Sequence, residues 1–284
     1  MRWQGGRRGG GVEDRRGISG GGVAAGGGIG VVIISLIGYF VFGIDPFTTS
    51  QLASQFGGAG SQEKGAVGTP TDQAGQFVDV IGANVDDVWK TKIKNYTDPK
   101  VVIYTDGTGT GCGYGQAAMG PFYCPNDATV YIDLAFWQQM EQQLGASGAD
   151  FAKAYVIAHE FGHHVQTLTG ASQKVQQAQQ RAGGSGEANE YSVALELQAD
   201  CYAGVWAANA SAVSDGKVAL DAGDLEEGLK TANAIGDDTL QKRGGGGVHP
   251  ENFTHGSSAQ RVEWLKKGYT SGDPQVCDGT FAGL

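Results

Sequence analysis

The sequence is short of several things that would each mark a class of protein. It has 7 prolines in 284 residues, and its 49 glycines follow no three-residue period, which excludes a collagen-like chain. Basic residues are scarce beside acidic ones, 20 against 30, for a net charge of −10. Such a chain repels phosphate backbones and has few counterions to release, which argues against nucleic acid as a partner. No segment repeats at any period, so neither a solenoid nor a propeller is supported. There are four cysteines, Cys112, Cys124, Cys201 and Cys277, and none forms a C-x-x-C pair. That disfavours a cysteine zinc site and leaves two disulfides as the natural use. Charge is missing altogether from Gly17 to Ile44.

This last absence sets the domain plan. Residues 22–44 end in the apolar run IGVVIISLIGYFVFGI, and as a helix they would span about 33 Å, the thickness of a bilayer's hydrocarbon core. The run ends Gly43, Ile44, Asp45, Pro46 without the small-residue A-x-A pattern of a cleaved leader, so an uncleaved transmembrane anchor is expected. Before it, Arg2, Arg7, Arg8, Arg15 and Arg16 outnumber Glu13 and Asp14, and the chain after it is strongly acidic. The positive-inside rule then predicts residues 1–21 as a basic, glycine-rich cytoplasmic arm, with the rest outside the cell membrane as a single-pass protein. An extracytoplasmic domain also suits disulfides. Cys112 and Cys124 bracket a turn-rich segment, so we expect them to pair and leave Cys201 with Cys277. Residues 45–75 are rich in Gly, Ser, Thr and Gln and read as a flexible linker.

Residues 76–284 carry the domain. Phe77, Val80, Ile81, Val85, Val88, Trp89 and Ile93 recur at helical steps, KVVIYT at 100–105 and TVYIDL at 129–134 read as strands, and a helix follows from Ala135 to Leu144. TVYIDL is expected to serve as an edge strand for an extended peptide. The fold class is α+β and mostly helical.

The chemistry lies on the helix predicted over 150–169, where His159, Glu160, Phe161, Gly162 and His163 spell H-E-x-x-H. The two histidines are one turn apart and can reach one ion, while Glu160, about 100° away, can reach a water on that ion. Gly162 costs about 1 kcal/mol of helix propensity relative to alanine, which suggests close packing of another backbone there. His164 falls off the ligand face and reads as exposed or as an outer support.

A catalytic zinc takes three protein ligands and keeps one position for water. The next helical segment, 187–209, offers Glu196 among apolar residues, with Asp200 four residues on to accept the spare ring N–H of a ligating histidine. Glu187 and Glu190 are the competing third ligands.

H-E-x-x-H followed by S-x-x-x-E-x-x-A-D, here Ser192 to Asp200, resembles the glutamate-zincin pattern of membrane metalloproteases of the prenyl-protein and heat-shock type. MRWQGGRR, GPFYCP, VYIDL, HEFGHHVQ, ELQADCYAGVWA and FTHGSSAQRVEWL together resemble the bacterial family of putative neutral zinc metallopeptidases, over nearly the whole chain. The resemblance implies a zincin-like domain with a small sheet and an active-site helix, zinc on His159, His163 and Glu196, Glu160 as base, and peptide or protein as substrate. The related proteases carry T-H-P-x-x-x-x-R-I, which Thr254, His255, Arg261 and Val262 fit with glycine in place of proline. It implies His255 as a donor to the oxyanion and Arg261 as a bidentate partner of a carboxylate. Two other functions share these residues: a non-catalytic envelope protein stiffened by zinc, and a zinc amidase acting on cell-wall peptide.

Overall fold

The computed structural model describes residues 1–17, 64–116 and 120–284. Its centre is a five-stranded mixed sheet of β1 (Val12–Asp14), β2 (Ala66–Gly68), β3 (Lys100–Tyr104), β6 (Phe122–Cys124) and β7 (Thr129–Asp133), ordered β2-β1-β3-β7-β6. β1, β3 and β7 run parallel, and β2 and β6 close the two sides antiparallel. The β-branched runs of β3 and β7 are buried on both faces, as parallel interior strands must be. TVYIDL is therefore not an edge: β7 is hydrogen-bonded on both sides, and the borders of the sheet are β2 and β6. A separate hairpin, β4 (Gly107–Thr110) and β5 (Gly113–Gln116), precedes β6.

Helices supply the rest of the core. They are α1 (Gln73–Lys92), α2 (Phe136–Gln142), α3 (Asp150–Thr169), α4 (Ala171–Gln179), α5 (Ser185–Val213), α6 (Asp224–Ala234), α7 (Asp237–Arg243) and α8 (Ser258–Ser271). α1 starts where Asp72 accepts the Gly75 N–H, and α8 starts at a capping box between Ser257 and Gln260. α5 is the hub, packed on α1, α3 and α8. At the α5–α8 crossing Gly204 and Gly268 have no room for a Cβ against the facing backbone, and only glycine allows that approach. Disulfides Cys112–Cys124 and Cys201–Cys277 join the hairpin to β6 and α5 to the C-terminal 3-10 turns; no described cysteine is free.

Residues 1–17 do not form an arm apart from the domain. β1 pairs with β2 on one side and β3 on the other, and Val12 is buried. Trp3 is 3% exposed, meets Phe77 edge-on at 5.2 Å and donates Nε1–H to Asp150 at the start of α3 at 2.8 Å. The arginines taken for a positive-inside signal are paired with domain acids: Arg7 with Asp87, Arg8 with Asp79 and Arg16 with Asp72. The partly exposed pairs of Arg7 and Arg16 contribute about 0–1 kcal/mol each, so β1, Trp3 and the pair of Arg8 with the buried Asp79 hold the segment. Gly17 and Lys64 thus lead out of one folded unit, in which β1 and β2 are paired. Part of the expected linker is also ordered, since β2 and the cap of α1 fall within 64–75. The expected anchor at 22–44 lies outside the described residues; among those described, no helix is long and apolar enough to cross a membrane.

Trp3→Ala is expected to cost about 3–5 kcal/mol, the usual loss for emptying a buried tryptophan site. Urea unfolding of the full chain measures this, and an unchanged midpoint would show that residues 1–17 are not part of the core.

Candidate metal centre

α3 and α5 lie side by side, and their contact builds the site. Gly162 faces Ala199: a Cβ there would come within 3.1 Å of the Ala199 Cα and 3.2 Å of its carbonyl oxygen. The missing side chain lets the H-E-x-x-H turn approach the turn of α5 that carries Glu196 and Asp200. Gly162→Ala should raise intrinsic helix propensity by about 1 kcal/mol and yet loosen this contact. The expected result is about tenfold weaker zinc binding in a competition titration, within the range of outer-support losses; tighter binding would contradict the packing role.

Three side chains converge at the crossing. His159 Nε2 lies 3.1 Å from Glu196 Oε2, and His163 Nε2 lies 3.4 Å from Glu196 Oε1. One ligand atom from each residue lies within 4.8 Å of the others. Bonds of 2.0–2.1 Å to a tetrahedral zinc separate its ligands by about 3.4 Å. The set is two imidazoles and one carboxylate, donors that suit zinc, and a four-coordinate zinc held by them would have one position for solvent or substrate. Among the described residues this is the cluster that fits a metal; Glu187 and Glu190 are exposed and stand outside it.

The ring orientations fit the same reading. His159 Nδ1 donates to Asp200 Oδ1 at 2.8 Å and His163 Nδ1 donates to Gln166 Oε1 at 2.8 Å, so each ring turns Nε2 towards Glu196, the orientation that ligation would require. Gln166 is itself held amide-side by the Leu195 carbonyl and Gln198. Asp200 is fully buried; Arg261 grips it through Nε at 2.9 Å and Nη2 at 3.0 Å, and the Tyr155 hydroxyl donates to it at 2.6 Å. Arg261 thus holds, within the core, the carboxylate that binds His159.

Electrostatics follow from these contacts. Burial pushes the Asp200 carboxyl up, but Arg261 and His159 outweigh it and bring it down to about 2. Burial disfavours the charged His159, yet Asp200 and Glu196 carry its pKa up to about 10. Glu196 is likewise drawn well below the usual carboxylate range against burial, chiefly by His163 and His159. Glu160 moves the other way: burial raises it and the histidines oppose this only in part. A carboxylate with a raised pKa is suited to accept and return a proton near neutral pH.

The remaining histidines have other settings. His164 is neither exposed nor beside the ligands; its Nε2 donates to the Thr97 carbonyl at 2.7 Å and its Nδ1 accepts the Tyr123 hydroxyl at 3.0 Å. Burial lowers its pKa, in keeping with a neutral ring. Tyr123 belongs to the edge strand β6, and its backbone N–H also acts on Glu160. His255 is half-buried on the loop before α8, and Gly256 beside it packs on Val193 and Leu197, which flank Glu196 on α5. Asp237, Gln166, Tyr155 and Tyr123 are the members of this arrangement to which the sequence assigned no role.

The family model described as "Putative neutral zinc metallopeptidase" matches residues 1–281, a span that includes residues 1–17. The chain is similar to "Uncharacterized protein YpfJ" of Escherichia coli K12, 47% identical over 292 aligned positions that cover 98% of each. It is also similar to "Uncharacterized protein Rv2575" of Mycobacterium tuberculosis, 46% identical over 207 positions, 71% of this chain and 68% of the relative. No solved structure matches.

Proposed function

Because the chain belongs to the family of putative neutral zinc metallopeptidases, we propose that it is a zinc-dependent peptidase that hydrolyses peptide bonds outside the cytoplasmic membrane. The observation that carries the reading is the open cluster of His159, His163 and Glu196 with the buried Glu160 beside it. A structural site would be closed by a fourth protein ligand. These three residues would hold zinc, which when bound lowers the pKa of water towards about 7 and polarises a carbonyl.

The chain's own groups do the rest. Glu160 takes the proton of the attacking water and delivers it to the leaving amine. His255 donates to the carbonyl oxygen as charge develops there. An extended substrate pairs with β6, the border strand whose Tyr123 N–H acts on Glu160, in place of the interior β7. Two disulfides support an oxidising compartment. The apolar stretch 22–44 supplies membrane attachment.

The test is an unbiased peptide-library digest by the full chain, with and without a chelator, and a protease-accessibility assay on intact spheroplasts. Chelator-sensitive cleavage and external accessibility support the reading. A zinc-loaded chain that cleaves nothing points to a zinc-stiffened binding protein; cleavage confined to cell-wall peptides points to an amidase.

A further inference from the structure

The two histidines of the cluster are held by different kinds of group. His159 Nδ1 meets a carboxylate, Asp200, at 2.8 Å, whereas His163 Nδ1 meets an amide, Gln166 Oε1, at 2.8 Å. A carboxylate can only accept, while an amide has an accepting oxygen at one end and a donating NH2 at the other. Turned over, Gln166 would donate to Nδ1 and send the ring proton to Nε2, the nitrogen on the side of Glu196. The tautomer of His163 therefore depends on which way round the Gln166 amide sits.

The groups behind Gln166 decide that. Gln166 is fully buried, and its Nε2 donates to the Leu195 carbonyl at 2.6 Å and to Gln198 Oε1 at 3.1 Å. Gln198, 2% exposed on α5, is a second amide with the same ambiguity. Its Nε2 donates to Asp278 Oδ1 at 3.3 Å, across 80 residues of chain. Asp278 stands in the C-terminal 3-10 segment, Pro274–Phe281. The neighbouring Cys277 is buried and bonded to Cys201, close after Gln198 on α5, so a covalent link seats the tail carboxylate against the amide. The donors thus all point one way, from His163 through Gln166 and Gln198 to Asp278, and the run stops at a member that only accepts. Reversing Gln198 would set its NH2 against that of Gln166 and its oxygen against the Asp278 carboxylate, two unmatched contacts. Apolar side chains would fill the same space between α3 and α5 without any such requirement.

We infer that Asp278 is a positioning residue of the metal centre: as the acceptor at the end of the run it fixes the direction of both amides, keeps the His163 proton on Nδ1, and leaves Nε2 as the atom that would meet an ion. This rests on the zinc reading for what Nε2 binds, but not for how the ring proton is placed. Asp278 is not one of the converging residues and acts through Gln198 and Gln166.

Two measurements on the full chain test this. The first is zinc affinity, by competition with a chromophoric chelator. Asp278→Ala should bind zinc about tenfold more weakly, the lower end of the losses on removing an outer partner of a ligating histidine. Asp278→Asn, whose oxygen still accepts, should stay within about twofold of the wild type. In a Gln166→Leu chain the run is already cut, so adding Asp278→Ala should bring no further loss. Wild-type affinity in Asp278→Ala, or the same loss repeated on top of Gln166→Leu, would overturn the proposal, because a role in the fold alone would add. The second measurement needs no variant at Gln166: long-range ¹H–¹⁵N spectra of chains purified with labelled histidine. His163 should carry a slowly exchanging Nδ1–H in the wild type and a faster-exchanging one in Asp278→Ala, whose altered side chain is exposed and outside the core. An unprotonated Nδ1 in the wild type, or equal exchange in the two chains, would overturn it. If the wild type binds no zinc but His163 shows the Nδ1–H and its dependence on Asp278, the zinc reading fails while the hold by Asp278 stands.

Discussion

The Glu160→Gln chain is expected to bind zinc as the wild type does and to hydrolyse peptide about a thousandfold more slowly, the middle of the range for removing a general base. The amide keeps the volume and one acceptor of the carboxylate, so the crossing of α3 and α5 survives. What it loses is the ability to take a proton. Because Glu160 is not one of the three converging ligands, zinc stoichiometry should not change. Metal analysis and turnover on a peptide found by the library digest check this together. Full activity in the variant would remove Glu160 from the mechanism; a parallel loss of zinc would make it a ligand.

Asp200→Ala is expected to be the most damaging single substitution for the fold. It leaves the Arg261 guanidinium, 4% exposed, without its carboxylate, and deprives Tyr155 and His159 of their acceptor. Breaking a buried pair from one side costs about 3–5 kcal/mol, which for a domain of this size is a fall in Tm of about 10 °C. Zinc affinity should fall about 10- to 100-fold because His159 loses the partner that fixes its tautomer. The double variant Asp200→Ala with Arg261→Leu separates the two effects. Removing both charges should restore much of the stability and none of the zinc affinity. Recovery of both would mean that Asp200 serves the metal only through the fold. Acid acts on the same group: its folded pKa of about 2 lies below the unfolded value of about 3.9. Its contribution is complete above about pH 4 and disappears as the pH falls towards about 2.

The converging cluster was legible in part from local periodicity, with Glu196 set apart from Glu187 and Glu190 by its apolar neighbours and by the family resemblance. His159 and His163 share a helix face by their spacing, and Glu196 and Asp200 repeat that spacing on the next long helix. Gly162 was legible as an anomaly of propensity, and its reason is the Ala199 backbone. Asp237 was not legible: its partners lie 17 to 19 residues away across a glycine-rich loop, and nothing in spacing links an aspartate at one helix start to a histidine before another. Gln166 stands in HEFGHHVQ, three residues after His163, and the same-face rule could have suggested it.

The N-terminal segment shows what composition leaves out. Five arginines before an apolar run satisfy the positive-inside rule, which counts charges and not their partners. Those partners are Asp72, Asp79 and Asp87, far along the chain in an acidic domain that attracts the arginines flanking β1. β1 reads VED, three residues with two acids, and carries no strand signal of its own. Its place is set by the hydrogen-bonding borders of β2 and β3, which are non-local.

An anomalous difference map at the zinc absorption edge, from crystals of the full wild-type chain, tests the central claim most directly. The account predicts one zinc peak about 2.0–2.2 Å from His159 Nε2, His163 Nε2 and a Glu196 carboxylate oxygen, with a non-protein atom in the fourth position. A fourth protein ligand, or a peak elsewhere, would contradict an open hydrolytic centre.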